Sequence, residues 1–501
     1  MNRTKTKTLI LVTILYFFAG AQISPLWAQE VLTLQKALGI AETSSPDLKQ
    51  SLLNLTISQK NLEARKAALK SSISLGLNPV NYRKSRQFDT WESQWYTNRN
   101  FESNSSLSIQ QPILLTDGTL SLTNEFGWSS SKSTLATTET ESEVFYNDLY
   151  LMLSQPLFTY NTTKQQLKEL ELALENANIQ YALQRLTVEK TVTQYFYTVY
   201  MAQMELAIAR EELANTQKSY DIIVNKVEAG LAAKEELFQA ELNLATAKSE
   251  VQNYYVDYEN AKDQLKLYLG MDLFEDISIL ANVSVNPVPV DLEKAVNNGL
   301  ESRMELRQRE IDIESSQFDL IETKANNEFE GALNLRLGVT GDNKDIGNVF
   351  KNQTRSPSVS LSFDIPILDW GERKAQIAAA EANIQSAKLS LVEEQNDIIV
   401  DIREVYRNIE NELLQIEIAE QNQRNAQLTY EINLERYENG DLTGMDLNLY
   451  QTQLSEKKIA YIQALINYKI ELLNLKIATL YDFETNQAII PEELFLNANK
   501  K

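Results

Sequence analysis

Of the side chain types that carry out most protein chemistry, this chain keeps only one class in quantity. Its 501 residues include no His and no Cys, which removes imidazole bases, thiolate nucleophiles and the usual His- and Cys-based metal sites. Carboxylates remain, with 69 Asp and Glu against 47 Lys and Arg and a formal net charge of -22. No pattern clusters them and no Gly-rich phosphate loop accompanies them, so no catalytic residue, cofactor or metal ligand is assigned. An enzyme is not expected. Nucleic acid is not an expected partner either, because no basic stripe exists to neutralise phosphates. His- or Met-rich tracts of the kind that suggest metal export are missing, and without Cys no lipid attachment through an N-terminal Cys is expected.

What organises the chain is periodicity. From Val188 through Val192, Tyr195, Val199, Ala202 and Leu206 to Ile223 and Val227, apolar residues recur at spacings of four and three. After Gly230 the pattern resumes at Leu237, Ala240, Leu244 and Ala247 and runs to Tyr268. An average of 3.5 keeps one narrow seam facing a partner helix. No Pro occurs between Leu157 and Asn286, and Gly230 is the only Gly between Trp128 and Gly270. The arm before the fold reaches ~100 Å at 1.5 Å per residue. The spacing predicts a coiled-coil hairpin that spans distance.

Residues 1–28 read as a secretory signal: Arg3, Lys5 and Lys7, an apolar run from Leu9 to Ala21, and Ala28 closing a cleavage site. The apolar run is shorter than the ~20 residues a spanning helix needs. Removing its three cations gives -22 - 3 = -25 for the mature chain. No later stretch is apolar enough for a transmembrane helix, so any crossing must use strands.

The chain is internally duplicated. Leu34-Gln35-Lys36-Ala37-Leu38 corresponds to Leu292-Glu293-Lys294-Ala295-Val296 at an offset of 258, whereas Pro156, Lys164, Gly230, Leu237 and Tyr258 match Pro366, Lys374, Gly440, Leu447 and Tyr468 at 210. The difference, 258 - 210 = 48, locates extra residues in the first half between Ser71 and Tyr150. The predicted organisation is a first repeat over 29–286, with an inserted hairpin at about 84–145, a second over 287–486, and a tail over 487–501.

Between the helices the period becomes 2. Leu333, Leu335, Leu337 and Val339 alternate with polar residues, as do Val359, Leu361, Phe363 and Ile365, which predicts strands over about 331–341 and 357–367. Each is near the 9–11 residues a tilted strand needs to cross a bilayer. Ile73, Leu75 and Leu77, and Leu149, Leu151 and Leu153, are their first-half counterparts; Leu107 with Ile109, and Leu120 with Leu122, mark the inserted hairpin, turning at Thr116-Asp117-Gly118. Outside the signal the Trp residues are Trp91, Trp95, Trp128 and Trp370, all flanking strands, which suits aromatic girdles at a membrane boundary. Four strands cannot close a barrel and lipid tolerates no open edge. Several copies must therefore share one; three copies give twelve strands, or eighteen if the inserted hairpin joins the wall, and twelve is favoured.

These features resemble the TolC family of outer-membrane efflux and secretion ducts over essentially the whole mature chain. Leu34 to Ala41 with Pro46-Asp47-Leu48, the transitions Gln155-Pro156-Leu157-Phe158 and Ile365-Pro366-Ile367-Leu368-Asp369-Trp370-Gly371, and the tips Gly230-Leu231 to Glu236-Leu237 and Gly440 to Asp446-Leu447 carry the resemblance. It implies a mostly α fold with transmembrane β. In the family three chains build a coiled-coil α-barrel in the periplasm and a twelve-stranded outer-membrane β-barrel, four strands per chain. It also implies a periplasmic adaptor and an inner-membrane pump as partners. By the resemblance Gly230, Leu231 and Gly440 are adaptor contacts, and Glu236 and Tyr437 take the acid and Tyr positions of the closed gate. The family's Arg position holds Leu442, so a charge-assisted partner is missing. Asp446 matches a position of the acidic rings, while Leu449 occupies the other. Drug efflux and protein secretion both stay open, and the alternative class is a structural periplasmic or surface coiled coil without a channel.

Overall fold

The computed structural model describes residues 30–489 except 92, 136, 137, 327 and 352. The expected signal over 1–28 and the tail beyond 489 lie outside the described residues. Within them the elements run β1 (Glu30–Leu32), α1 (Leu34–Ser44), α2 (Pro46–Ala68), β2 (Ser72–Asp89), β3 (Gln94–Ile113), β4 (Gly118–Leu135), β5 (Thr138–Leu157), α3 (Thr162–Glu228) and α4 (Lys234–Leu269). After a short β6 (Ile277–Ile279) come α5 (Leu292–Ser302), α6 (Met304–Asn326), β7 (Glu330–Asn343), β8 (Thr354–Arg355), β9 (Ser358–Asp364), α7 (Glu372–Asn439) and α8 (Gly444–Thr479), then β10 (Tyr481–Asp482) and β11 (Gln487–Ala488). The duplicated elements have matching lengths: α1 and α5 have 11 residues each, α2 and α6 23, α4 and α8 36, and α3 and α7 67 and 68. The offset between α1 and α5 is 258, and between α4 and α8 210.

The chain divides into two compact units. One comprises residues up to 51, 182–302 and 398 onward. In it β1 pairs in parallel with β6, and the predicted seam of α3 is buried at Val188, Val192, Val199, Ala202, Leu206, Ala209 and Ile223. Where α3, α7 and α8 meet near their turns, Ile223, Tyr430, Tyr437, Leu447 and Leu454 form a buried cluster, with Leu237, Ala240 and Leu442 packed against it. Heptad spacing thus becomes a buried seam on α3, while Phe238 and Leu242 on α4 and Leu389, Leu414, Leu428 and Ile432 on α7 stay exposed.

The second unit comprises residues 52–181 and 303–397. Helix α6 is tied to α3 by Arg307, whose guanidinium grips Glu175 at 2.6 Å and also meets Glu310 and Glu314 at 3.0 Å. It is tied to α7 by Arg309 on Glu394 at 3.0 Å. The strands form one sheet in the order β2-β3-β4-β5-β7, with β8 and β9 both paired to β7. All these pairings are antiparallel.

This departs from the expected four strands per chain. Among the described residues six strand positions, not four, lie side by side, β8 and β9 sharing the last, because the inserted hairpin is laid into the sheet between β2 and β5. Its arms are Gln94–Ile113 and Gly118–Leu135, and β2 itself continues to Asp89. Alternating Leu and Ile mark only the part of a strand with one apolar side. The hydrogen-bond ladder continues beyond it through Ser-, Thr- and Asn-rich sequence that carries no period-2 signal.

Candidate functional site

In the second unit the register places an apolar belt on one side of all six strands. Ile73 pairs with Ile109, Ile109 with Leu122, Leu122 with Leu151 and Leu151 with Leu337; on the far side Leu335 pairs with Val359 and Leu333 with Leu361. Ile73, Leu75, Leu107, Leu122, Leu151, Leu337, Val359 and Leu361 are all exposed. The opposite side carries Ser74, Ser108, Thr123, Asp148, Arg336 and Ser360. There Arg336 donates to the Asp148 carboxylate and lies 3.9 Å from the Tyr150 ring centre, and Thr340 donates to Asp148 at 3.1 Å. A face this apolar would be an aggregation surface in water.

Aromatic residues bound the belt. At the helix end Phe158 lies 5.0 Å from Phe329 and 6.3 Å from Phe363, ring centre to ring centre. At the other end Tyr82 pairs with Phe101, Phe101 lies 5.6 Å from Trp128, and Trp128 pairs with Phe145. Phe145 and Phe158 differ by 158 - 145 = 13 in sequence number. The belt also drifts across the sheet. In register, Leu75 leads through Leu107, Asn124, Leu149 and Val339 to Arg355 of β8, yet the apolar residues of β9, which continues the same register along β7, centre on Leu361, a shift of 361 - 355 = 6 toward the helices. That shift over five strand-to-strand steps, at ~3.3 Å per residue and ~4.8 Å per step, corresponds to a tilt of about 40°. At that tilt a strand segment from Phe145 to Phe158 rises ~33 Å, close to a bilayer's apolar thickness.

The four Trp residues do not share a level. Trp128 stands in the outer aromatic row. Trp370 is 91% exposed at the helix end, in the turn before α7. Trp91 is 96% exposed in the β2–β3 turn. Trp95 lies farther from the helices than Ser103, the register partner of Trp128, and its ring meets Phe88 and Arg86. Sequence reading missed Tyr82, Phe101, Phe145, Phe158 and Phe329. Trp was the cue, while Phe and Tyr reveal an aromatic row only once register is known.

The start of α3 depends on the inserted turn. Asp117 accepts from the Thr162 and Thr163 amides, both at 3.1 Å, and from the Thr162 hydroxyl at 2.6 Å. Burial pushes its carboxyl up, but these hydrogen bonds outweigh it and leave the pKa below the usual carboxylate value. Asn161 adds a local cap, accepting from the Lys164 amide at 2.7 Å. In the second repeat the capping carboxylate is local, Asp369 accepting from Gly371 and Arg373 at 3.0 and 3.1 Å.

In the first unit the two hairpin turns share one geometry. Gly230 and Gly440 have φ +74° and +88°, and the next residues, Leu231 and Asp441, donate back to the carbonyls of Lys226 and Arg436, each at 2.8 Å. This is a Schellman ending, which needs the left-handed conformation glycine adopts at least cost. Nothing lies within 4 Å of a Cβ built on either glycine, and Leu231 is 79% exposed. Asp446 begins α8, donating its amide to Thr443 Oγ1 at 3.2 Å while its carboxylate accepts from that hydroxyl at 2.7 Å. Glu236 is an exposed residue in the first turn of α4.

Tyr437 is 2% exposed. Its hydroxyl donates to the Ser219 carbonyl at 3.1 Å, Lys226 Nζ lies 4.8 Å from its ring centre, and that ammonium donates to the Tyr437 carbonyl at 2.7 Å. Burial, with Glu236 adding repulsion, pushes the phenol up to about 12. Glu236 and Tyr437 both line a cleft of about 380 Å³ with Thr216, Ser219, Thr443 and Gln451. The structure thus brings these two together and leaves Asp446 at its cap. Lys226 and Ser219 were not legible, because their contacts with Tyr437 join the first repeat to the second across most of the intervening chain.

A sheet apolar on one side and polar on the other suits a wall set in lipid. The chain belongs to the outer membrane efflux protein family, which matches residues 117–271 and 331–479. It is 20% identical over 338 residues to nodulation protein T of Rhizobium leguminosarum bv. viciae, covering 64% of this chain and 66% of that protein. It is 22% identical over 198 residues to the probable outer membrane lipoprotein SilC of Salmonella typhimurium, covering 39% and 42%. The matched stretches thus span less than two thirds of these relatives. Among solved structures, the fold resembles the CmeC outer membrane channel of Campylobacter jejuni (TM-score 0.69, 15% identity, 93% of this chain and 89% of that one) and the channel CusC (0.64, 13%, 90% and 94%). By family, then, the chain is an outer membrane efflux protein.

Proposed function

We propose that this chain is the outer-membrane component of a tripartite efflux or type I secretion system. It works as a homotrimer with its sheet in the outer membrane and its helices in the periplasm. A periplasmic adaptor docks at the turns around Gly230, Leu231 and Gly440, linking the duct to an inner-membrane pump. The belt bounded by aromatic rows carries the reading, because a face of that height suits lipid and a polar opposite face suits a water-filled bore. Two open sheet edges in one chain call for further copies, since lipid leaves no backbone group unpaired.

The gate lies at the cleft that Glu236 and Tyr437 line. With Leu442 packed into the apolar cluster, closure relies on packing around Tyr437 rather than on an Arg–carboxylate pair. Asp446, repeated three times about the axis, forms a ring that attracts hydrated cations. Outer-membrane fractionation followed by gel mobility with and without heating tests the assembly; a chain that stays soluble without detergent and migrates as a monomer would refute it. Single-channel recording of Asp446→Ala with divalent cations present tests the ring, and unchanged cation block would remove it.

A further inference from the structure

We infer that the inserted hairpin β3–β4 crosses the membrane as part of the barrel wall. The edge of β2 then pairs with the edge of β9 in a second copy of this chain, and the trimer closes on eighteen strands. The inference rests on the trimeric-duct reading and goes beyond it in assigning a role to the insertion.

Three observations carry it. The hairpin bears the belt in register, Leu107 and Ile109 on one arm and Leu120 and Leu122 on the other, between apolar neighbours on β2 and β5. It also bears both boundaries. Phe101 and Trp128 stand in the outer aromatic row, and exposed Leu114 and Leu115 stand at the turn. The sequence separations agree: 114 - 101 = 13 on one arm and 128 - 115 = 13 on the other, the same as from Phe145 on β5 to Phe158 just past its end. A hairpin resting on the extracellular rim would need neither the belt nor the same height.

The third observation concerns the two edges. β2 leads away from a helix and β9 leads back to one, so they run antiparallel like every other pair, and six strands preserve the alternation around a ring. Before its bulge at Asn78/Asn81, where Pro79 removes a donor, β2 offers residues 72–78. That segment has the same length as β9, which has 7 residues. Both carry the belt, with Ile73, Leu75 and Leu77 facing Val359, Leu361 and Phe363, all exposed. A second copy supplies the missing ladder for each edge.

The consequence is a wider bore. At ~4.8 Å per strand and a tilt of about 40°, twelve strands give a backbone ring ~24 Å across and eighteen give ~36 Å. Eighteen-stranded walls of this kind enclose an open aqueous channel.

Electron cryomicroscopy of the full chain in lipid nanodiscs, viewed along the ring axis, tests this directly. The expected result is a three-fold ring of eighteen strands. A three-fold ring of twelve, with residues 94–135 outside it, overturns the inference and leaves the duct intact; no ring at all refutes both. Because the chain has no native Cys, single cysteines give an independent test. A bimane label on Ile109→Cys is expected to lose most of its fluorescence in brominated lipid, while one on Ser108→Cys keeps it. Leu122→Cys and Thr123→Cys form a second pair on the other arm, and Leu151→Cys reports on the wall outside the insertion. Equal behaviour within both pairs, with Leu151→Cys quenched, overturns the inference alone; an unquenched Leu151→Cys counts against the duct itself.

Discussion

Tyr437→Phe should reverse its effect on stability as pH rises. At pH 8 the substitution removes the bond to the Ser219 carbonyl, worth about 1 kcal/mol net, so the wild type is the more stable form. The phenol is pushed up to about 12 in the folded chain, whereas an unfolded Tyr titrates near 10. A raised folded pKa means the folded state holds the proton more tightly. Its contribution is complete below pH ~10 and is lost as pH climbs through ~12. By pH ~11 the wild type has given up about 1.4 kcal/mol, one pKa unit's worth. Phenylalanine has nothing to lose. The two stability curves should cross near pH ~11, with the substituted chain ahead above it. Denaturant melts followed by circular dichroism at a series of pH values read the crossing. The 295 nm titration of wild type minus variant should show one tyrosine ionising near ~12. A difference titration centred near ~10, or parallel curves from pH 8 upward, would show that the phenol is not held as described.

Gly230→Ala and Gly440→Ala should each cost about 1–2 kcal/mol, because only the left-handed φ resists the new Cβ and open space surrounds it; hydrogen exchange confined to the turns is the readout. Asp117→Ala should loosen the first turn of α3 by about 1 kcal/mol. Since the folded pKa of Asp117 is lowered, its contribution is present above the unfolded carboxylate pKa and disappears as pH falls through the folded one, so wild type and variant should converge in acid. Arg307→Met should free α6 from α3 by about 1 kcal/mol at low salt and less at high salt, as half-exposed ion pairs do; equal losses at both salts would assign the effect to packing.

The long helices were legible because a 3.5-residue repeat without Pro or Gly has few other ways to bury its seam. Val192 and Leu206 are buried as their spacing implied. The turns at Gly230 and Gly440 were legible for the converse reason, Gly230 being a lone glycine inside such a repeat and Gly440 its match at the offset of 210. Legibility failed where long-range pairing decides the outcome. β3 and β4 carry only two apolar residues each in the predicted alternation, so their 20- and 18-residue lengths emerge only from the ladder with β2 and β5. Asp117 read as a turn residue, and its role in starting a helix on the far side of β5 follows from where the sheet places the turn. Tyr437 was singled out by position within a family pattern, yet the partners it meets here, Ser219 and Lys226, sit on another helix.

The two ways of sealing a long helix have a consequence for the order of assembly. Asp369 lies just before α7 in sequence and can engage as soon as that stretch is synthesised. Asp117 can engage α3 only after the strand that separates them, β5, has been laid against β4. Start-up of one rod is therefore wholly local, while its counterpart has only the Asn161 cap until the strands are laid together. Before the sheet forms, the root of α7 should hold its full carboxylate cap while that of α3 holds only half of its own.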